Sequence, residues 1–143
     1  MKYLFDTSVL VAAMLTGHNS HAACLPLLQQ AQTKQIDGLI STHTLAELYS
    51  VLTRIPQTKI NPTLAQELIR DNLQTFEFVP LTAEDYTAAI ALMVKHQLPG
   101  GGIFDALIAQ AAIKAEVDVI LTLNAKHFIR LGAVIAKKVQ EPA

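Results

Sequence analysis

Short strand-like runs alternate with longer helix-like segments along this chain, and that alternation restricts the folds open to it. Lys2-Tyr3-Leu4-Phe5, Leu39-Ile40-Ser41, Phe76-Glu77-Phe78-Val79-Pro80-Leu81 and Val119-Ile120-Leu121-Thr122 read as strands, the last apolar almost throughout, as buried parallel strands are. Between them, apolar residues recur at the three- and four-residue spacing of a packed helix face. Leu45, Leu48, Tyr49 and Leu52 form one such stripe; Leu64, Leu68 and Ile69 a second; Phe104, Leu107, Ile108 and Ala111 a third. Ser20, Thr42 or Thr44, and Thr82 are candidate helix caps, and Pro62 suits a first helical position. Asp37-Gly38 reads as a turn, and Ala133–Ala136 as a last apolar run. Strands alternating with helices predict an α/β fold with a mainly parallel sheet between helical layers. A chain of 143 residues fits a single domain over residues 1–143.

Ligands of such folds bind outside the carboxyl ends of the strands, where the strand order reverses. Asp6 stands at such an end, followed by Thr7 and Ser8. That corner is either a helix cap for an apolar helix beginning near Val9 or a metal-binding corner. The other acids help to decide. There are twelve, and most have ordinary explanations: Glu84 and Asp85 lie in a first helical turn, Asp37 in the turn, Glu141 in the tail. Asp6, Glu47 and Asp105 differ, because each interrupts an otherwise apolar stretch. Three carboxylates in one crevice repel one another and lose hydration, so they persist together only with a cation. Oxygen ligands select a hard ion, Mg2+ or Mn2+, completed by water and substrate phosphate.

Composition narrows the function classes. A net charge of −1 gives no global basic footprint, so any work on nucleic acid depends on a local patch or on metal ions. The single cysteine, Cys24, makes no internal disulfide, which fits a reducing cytoplasm. No apolar run approaches the roughly 18 residues of a membrane span, and Asp6 breaks the only stretch resembling a secretory signal.

The ordered set Phe5-Asp6-Thr7-Ser8, Thr44-Leu45-Ala46-Glu47-Leu48, Phe104-Asp105-Ala106-Leu107-Ile108-Ala109 and Thr122-Leu123-Asn124-Ala125-Lys126-His127-Phe128 resembles PIN-domain ribonucleases. The likeness is to those forming the toxin half of VapBC-type toxin–antitoxin pairs. It implies a three-layer α/β/α fold with strand order 3-2-1-4-5 and a Mg2+- or Mn2+-dependent endoribonuclease acting on RNA. On that pattern Asp6, Glu47 and Asp105 would be catalytic metal ligands, supported by Ser8, Thr122 and Asn124. Asn124 departs from the family, which often places a fourth acid there; its amide adds no charge and leaves a second ion open. Lys126 and Arg130, with His127 between them, and His43 are candidates for RNA contact. The same resemblance implies a small cognate antitoxin and, with the apolar surplus of the composition, a homodimer.

Two rival readings come from other classes. A non-catalytic PIN-like binding module with a degenerate metal site is favoured by Asn124. An aspartyl-phosphate phosphatase with Asp6 as nucleophile would want a second Asp two positions on, where Ser8 stands.

Overall fold

The computed structural model describes residues 1–56 and 60–143. The stretch from Arg54 to Pro62 reads in the sequence as a polar connection with two basic residues, Arg54 and Lys59, of which Lys59 lies outside the described residues. The elements run β1 (Lys2–Phe5), α1 (Thr7–Met14), α2 (His21–Gln32), β2 (Asp37–Ser41), α3 (Thr42–Arg54) and α4 (Pro62–Asn72). They continue with β3 (Glu77–Val79), α5 (Ala83–Lys95), α6 (Gly102–Lys114), β4 (Val119–Leu121), α7 (Ala125–Ile129), α8 (Ala133–Ala136) and β5 (Val139–Gln140). Five strands form one sheet in the order β3-β2-β1-β4-β5, and every adjacent pair is parallel.

Strand pleating turns successive side chains to opposite faces of the sheet, and that builds the layers. Phe5, Ile40 and Leu121 pack with α1, α2, α3 and α4, while Leu4, Leu39 and Ile120 pack with α5, α6, α7 and α8. The ring of Phe5 meets Phe76 edge to face, with centroids 5.1 Å apart. Strand order reverses between β1 and β4, so the carboxyl ends of these two strands flank the switch point where such sheets bind ligands.

Local details differ from the sequence expectations for identifiable reasons. Asp37 and Gly38 open β2 instead of forming a turn. A Cβ on Gly38 would come within 2.8 Å of Phe76 and 2.9 Å of Ala31, so only glycine lets the chain extend there. The cap of α3 is Ser41, whose Oγ accepts from the Thr44 amide at 3.1 Å, rather than Thr42 or Thr44. Helix α1 begins at Thr7 with Asp6 in the cap position, but the Asp6 side chain makes no capping bond of full geometry; its Oδ2 accepts from Ser8 and Thr122 instead. Ser20 precedes α2 without a side-chain cap as well. Thr82 and Asp85 do form the capping box, with both reciprocal bonds present.

Tyr49, Leu64 and Phe104, read as core, are exposed; Leu48, Leu52, Leu107, Ile108 and Ala111 are buried as their stripes require. Beyond the apolar run that becomes α8, Val139–Gln140 adds the edge strand β5, too short to carry a periodicity of its own.

Candidate active site and its family

Parallel pairing sets the ends of β1 and β4 side by side. Phe5 pairs with Leu121, and the Asp6 amide donates to the Leu121 carbonyl at 2.9 Å. The next residue on each strand, Asp6 and Thr122, therefore stand as neighbours. Thr122 Oγ1 donates to Asp6 Oδ2 at 2.8 Å, and Ser8 Oγ donates to the same oxygen at 2.7 Å.

Backbone donors favour this direction for both protons. Thr122 Oγ1 accepts from the Asn124 amide at 2.9 Å, and Ser8 Oγ accepts from the Leu123 amide at 3.1 Å. An amide can only donate, so it takes up one acceptor site of each hydroxyl and leaves the hydroxyl's own proton free to turn to the Asp6 carboxylate. Both hydroxyls thus favour an ionised Asp6 and tie it to the β4–α7 turn.

Glu47 arrives from the second turn of α3 and Asp105 from the first turn of α6. Both line one crevice of about 520 Å3 with Asp6, Ser8 and Asn124. Thr7 Oγ1 donates to Glu47 Oε1 at 3.5 Å, a contact that its reading as a cap residue did not anticipate. Asp105 Oδ2 lies 3.8 Å from His127 Nδ1 and 3.9 Å from Arg130 Nη2. Arg130, read as part of an RNA rim, therefore also faces an acid. Lys126 is exposed on α7 and pairs with none of the three acids. His18 lines the crevice mouth, while His21 Nδ1 sits 2.9 Å from the Ala12 carbonyl.

Electrostatics tie the acids together. Burial raises Asp6 above the ordinary carboxylate range, against the pull of the Ser8 and Thr122 hydroxyls and the Thr7 and Ser8 amides. Burial, then the charges of Asp6 and Asp105, lift Glu47 to about 7. Burial and the charge of Asp6 lift Asp105 to about 6, with His127 and Arg130 opposing. His43, one turn before Glu47, is held below its usual value by burial; its Nε2 is 3.9 Å from Glu47 Oε1 and, among the described residues, has no hydrogen-bond partner.

Hydration lost and like charge gathered are the two penalties that a cation offsets. The donors are all oxygens, the set that suits a hard divalent ion. Among the described residues, no three His, Cys, Asp or Glu side chains are already drawn into an ion cage. The arrangement is an open acidic crevice instead, and ions such as Mg2+ commonly reach part of their ligand set through water. A larger cavity of about 720 Å3, between α3, α4 and β3, contains none of these acids.

The PIN domain profile matches residues 3–134. The chain belongs to the PIN-domain family. Within it, the likeness is to VapC proteins. "Ribonuclease VapC40" of Mycobacterium tuberculosis is 32% identical over 108 residues, 75% of each chain. Among solved structures, VapBC2 from Rickettsia felis, bound to a DNA fragment from its promoter, superposes with a TM-score of 0.69. That match is 23% identical and covers 100% of both chains. VapC20 of Mycobacterium tuberculosis, described as a Sarcin-Ricin loop cleaving toxin, matches at a TM-score of 0.66. It is 18% identical, over 82% of this chain and 86% of that one. These two likenesses bear on the fold, and the PIN architecture accounts for the strand order seen here.

Proposed function

We propose that this chain is a metal-dependent endoribonuclease and the toxin of a toxin–antitoxin pair. The observation that carries the proposal is the crevice at the sheet's switch point, where Asp6, Glu47 and Asp105 gather in a PIN-domain chain similar to a named ribonuclease. Those three residues would hold Mg2+ or Mn2+, directly or through water. When bound, such an ion polarises the phosphodiester and lowers the pKa of a water that attacks phosphorus.

The chain's own residues prepare that step. Ser8 and Thr122 keep Asp6 oriented and favour its ionised form against the cost of burial. Thr7 steadies Glu47, and Asn124 offers a neutral carbonyl oxygen on the same wall. Arg130 and His127, beside Asp105, lie where they can meet the phosphate charge of RNA, with Lys126 and His43 as outer contacts.

We read residues 1–143 as one functional unit, since the sheet draws strands from both ends of the chain. The partner is a small antitoxin covering the acidic crevice, as the VapBC neighbours suggest. Tyr86, Ile90 and Val94, exposed at four-residue intervals on α5, offer a face for a second copy. Among the described residues no helix is long and apolar enough to cross a membrane, and the free buried thiol of Cys24 suits the cytoplasm.

The test is cleavage of single-stranded RNA by purified protein in Mg2+ or Mn2+. Asp6→Asn or excess chelator should abolish it; equal activity in the variant sinks the proposal. Regulated expression should arrest growth with the wild type and not with Asp6→Asn. A non-catalytic module, the reading Asn124 favours, predicts metal binding without cleavage. The phosphatase reading lacks its general acid, because the residue two after Asp6 is a serine bonded to Asp6 itself.

A further inference from the structure

A second recess, of about 360 Å3, opens beside the acidic crevice, and Glu47 lines both. Its other walls include His43, Ser50, Arg54 and Phe104. Two side chains there stand out. Phe104 is 46% exposed although it sits in an apolar helix, and its ring lies parallel to His43, with centroids 5.3 Å apart and 3° between planes. Arg54 is exposed in the last turn of α3, where the helix dipole favours a cation, and among the described residues its side chain pairs with no acid. His43, Glu47, Ser50 and Arg54 follow one another at helical spacing on α3, so one face of that helix leads from the acids outward to an exposed cation.

We propose that Phe104, backed by His43 and flanked by Arg54, is a base-stacking subsite for a nucleotide beside the scissile phosphate of single-stranded RNA. This rests on the nuclease reading above and adds to it a way of gripping the substrate. An unstacked base presents an apolar face that an exposed aromatic ring can cover, and its adjoining phosphate needs a cation. Phe104 supplies the ring, already held flat by His43. Arg54 supplies the cation about 10 Å along α3 from Glu47, at 1.5 Å per residue. The recess joins the acid crevice through Glu47, so a strand whose phosphate meets the acids can continue into it. A purely apolar partner segment would leave the Arg54 cation without an anion at this wall, whereas the phosphate next to a stacked base supplies one, which favours RNA as the occupant.

Steady-state cleavage of a single-stranded oligonucleotide in Mg2+ or Mn2+ tests this. Phe104→Ala should raise KM about tenfold with kcat little changed, since stacking on one aromatic ring carries that order of affinity. Phe104→Trp should restore the wild-type KM. Because the chain has no tryptophan, that variant also carries a unique fluorophore, which should be quenched when the oligonucleotide binds. Arg54→Ala should reduce the salt dependence of binding by about one unit of log–log slope, as for one lost phosphate contact. Equal KM for Phe104→Ala and active wild type overturns the subsite and leaves the nuclease standing. Unchanged KM with weakened antitoxin binding assigns the ring to a protein contact, and also overturns it. A wild-type protein that cleaves no RNA overturns the nuclease reading itself, and the subsite with it.

Discussion

Thr122 and Asp6 are 116 positions apart in the chain, and the hydroxyl of the first donates to the carboxylate of the second at 2.8 Å. Both residues are buried, and the same hydroxyl accepts the Asn124 amide. One threonine thereby joins the ends of β1 and β4 and orients the acid at the switch point. Thr122→Val preserves shape and removes both bonds. A lost bond to a charged acceptor and an amide left without a partner predict about 2–3 kcal/mol of destabilisation, read by urea unfolding. Cleavage should fall mainly in kcat, because Asp6 loses its orientation.

Glu47 illustrates a conflict between stability and function. Burial and two like charges raise it to about 7, so its ionised form disfavours the metal-free fold. Glu47→Gln removes that charge while keeping the shape. In chelator, the variant should melt at a higher temperature than wild type; in Mg2+ or Mn2+, it should have lost cleavage. A lower melting temperature in chelator would contradict the electrostatic account.

Asn124 stands on the wall that carries the acids, without charge of its own. Asn124→Asp should tighten Mn2+ binding, measured by titration calorimetry, by adding a fourth anion to an oxygen-ligand site. It should also lower the melting temperature in chelator, where the added charge meets only repulsion.

Away from the site, Asp85 links the start of α5 to Lys114 at 2.8 Å. The bond to Lys114, followed by the Thr82 amide, lowers Asp85 from 3.8 to about 2. The folded carboxyl therefore binds its proton more weakly than the unfolded one. Its contribution is present above about pH 4 and is lost as pH falls through about 2. Asp85→Asn should flatten the acid limb of the stability curve in that window and leave the neutral-to-alkaline slope unchanged.

Much of this architecture was legible in order along the chain. Strand and helix follow from periodicity, and the Thr82–Asp85 box from four consecutive residues, because the interactions concerned are local. The acids Asp6, Glu47 and Asp105 were visible because a carboxylate in an apolar stretch calls for a special environment. Phe104 misled for the same local reason: its spacing matched the buried stripe, but the α3–α6 contact leaves its ring outside against His43. Gly38 looked like a turn, and only the nearness of Phe76 and Ala31 makes it a strand residue.

Sequence by itself determined the alternating α/β plan and the PIN resemblance, and it singled out the three acids that one crevice gathers, since pattern and residue type carry that information. Tertiary structure decided what those acids experience. Parallel register set Thr122 beside Asp6, and packing against the sheet carried α3 and α6 to the same crevice. Desolvation and mutual repulsion arise only once segments tens of residues apart are pressed together. Those two forces turn three scattered carboxylates into a coupled acidic site.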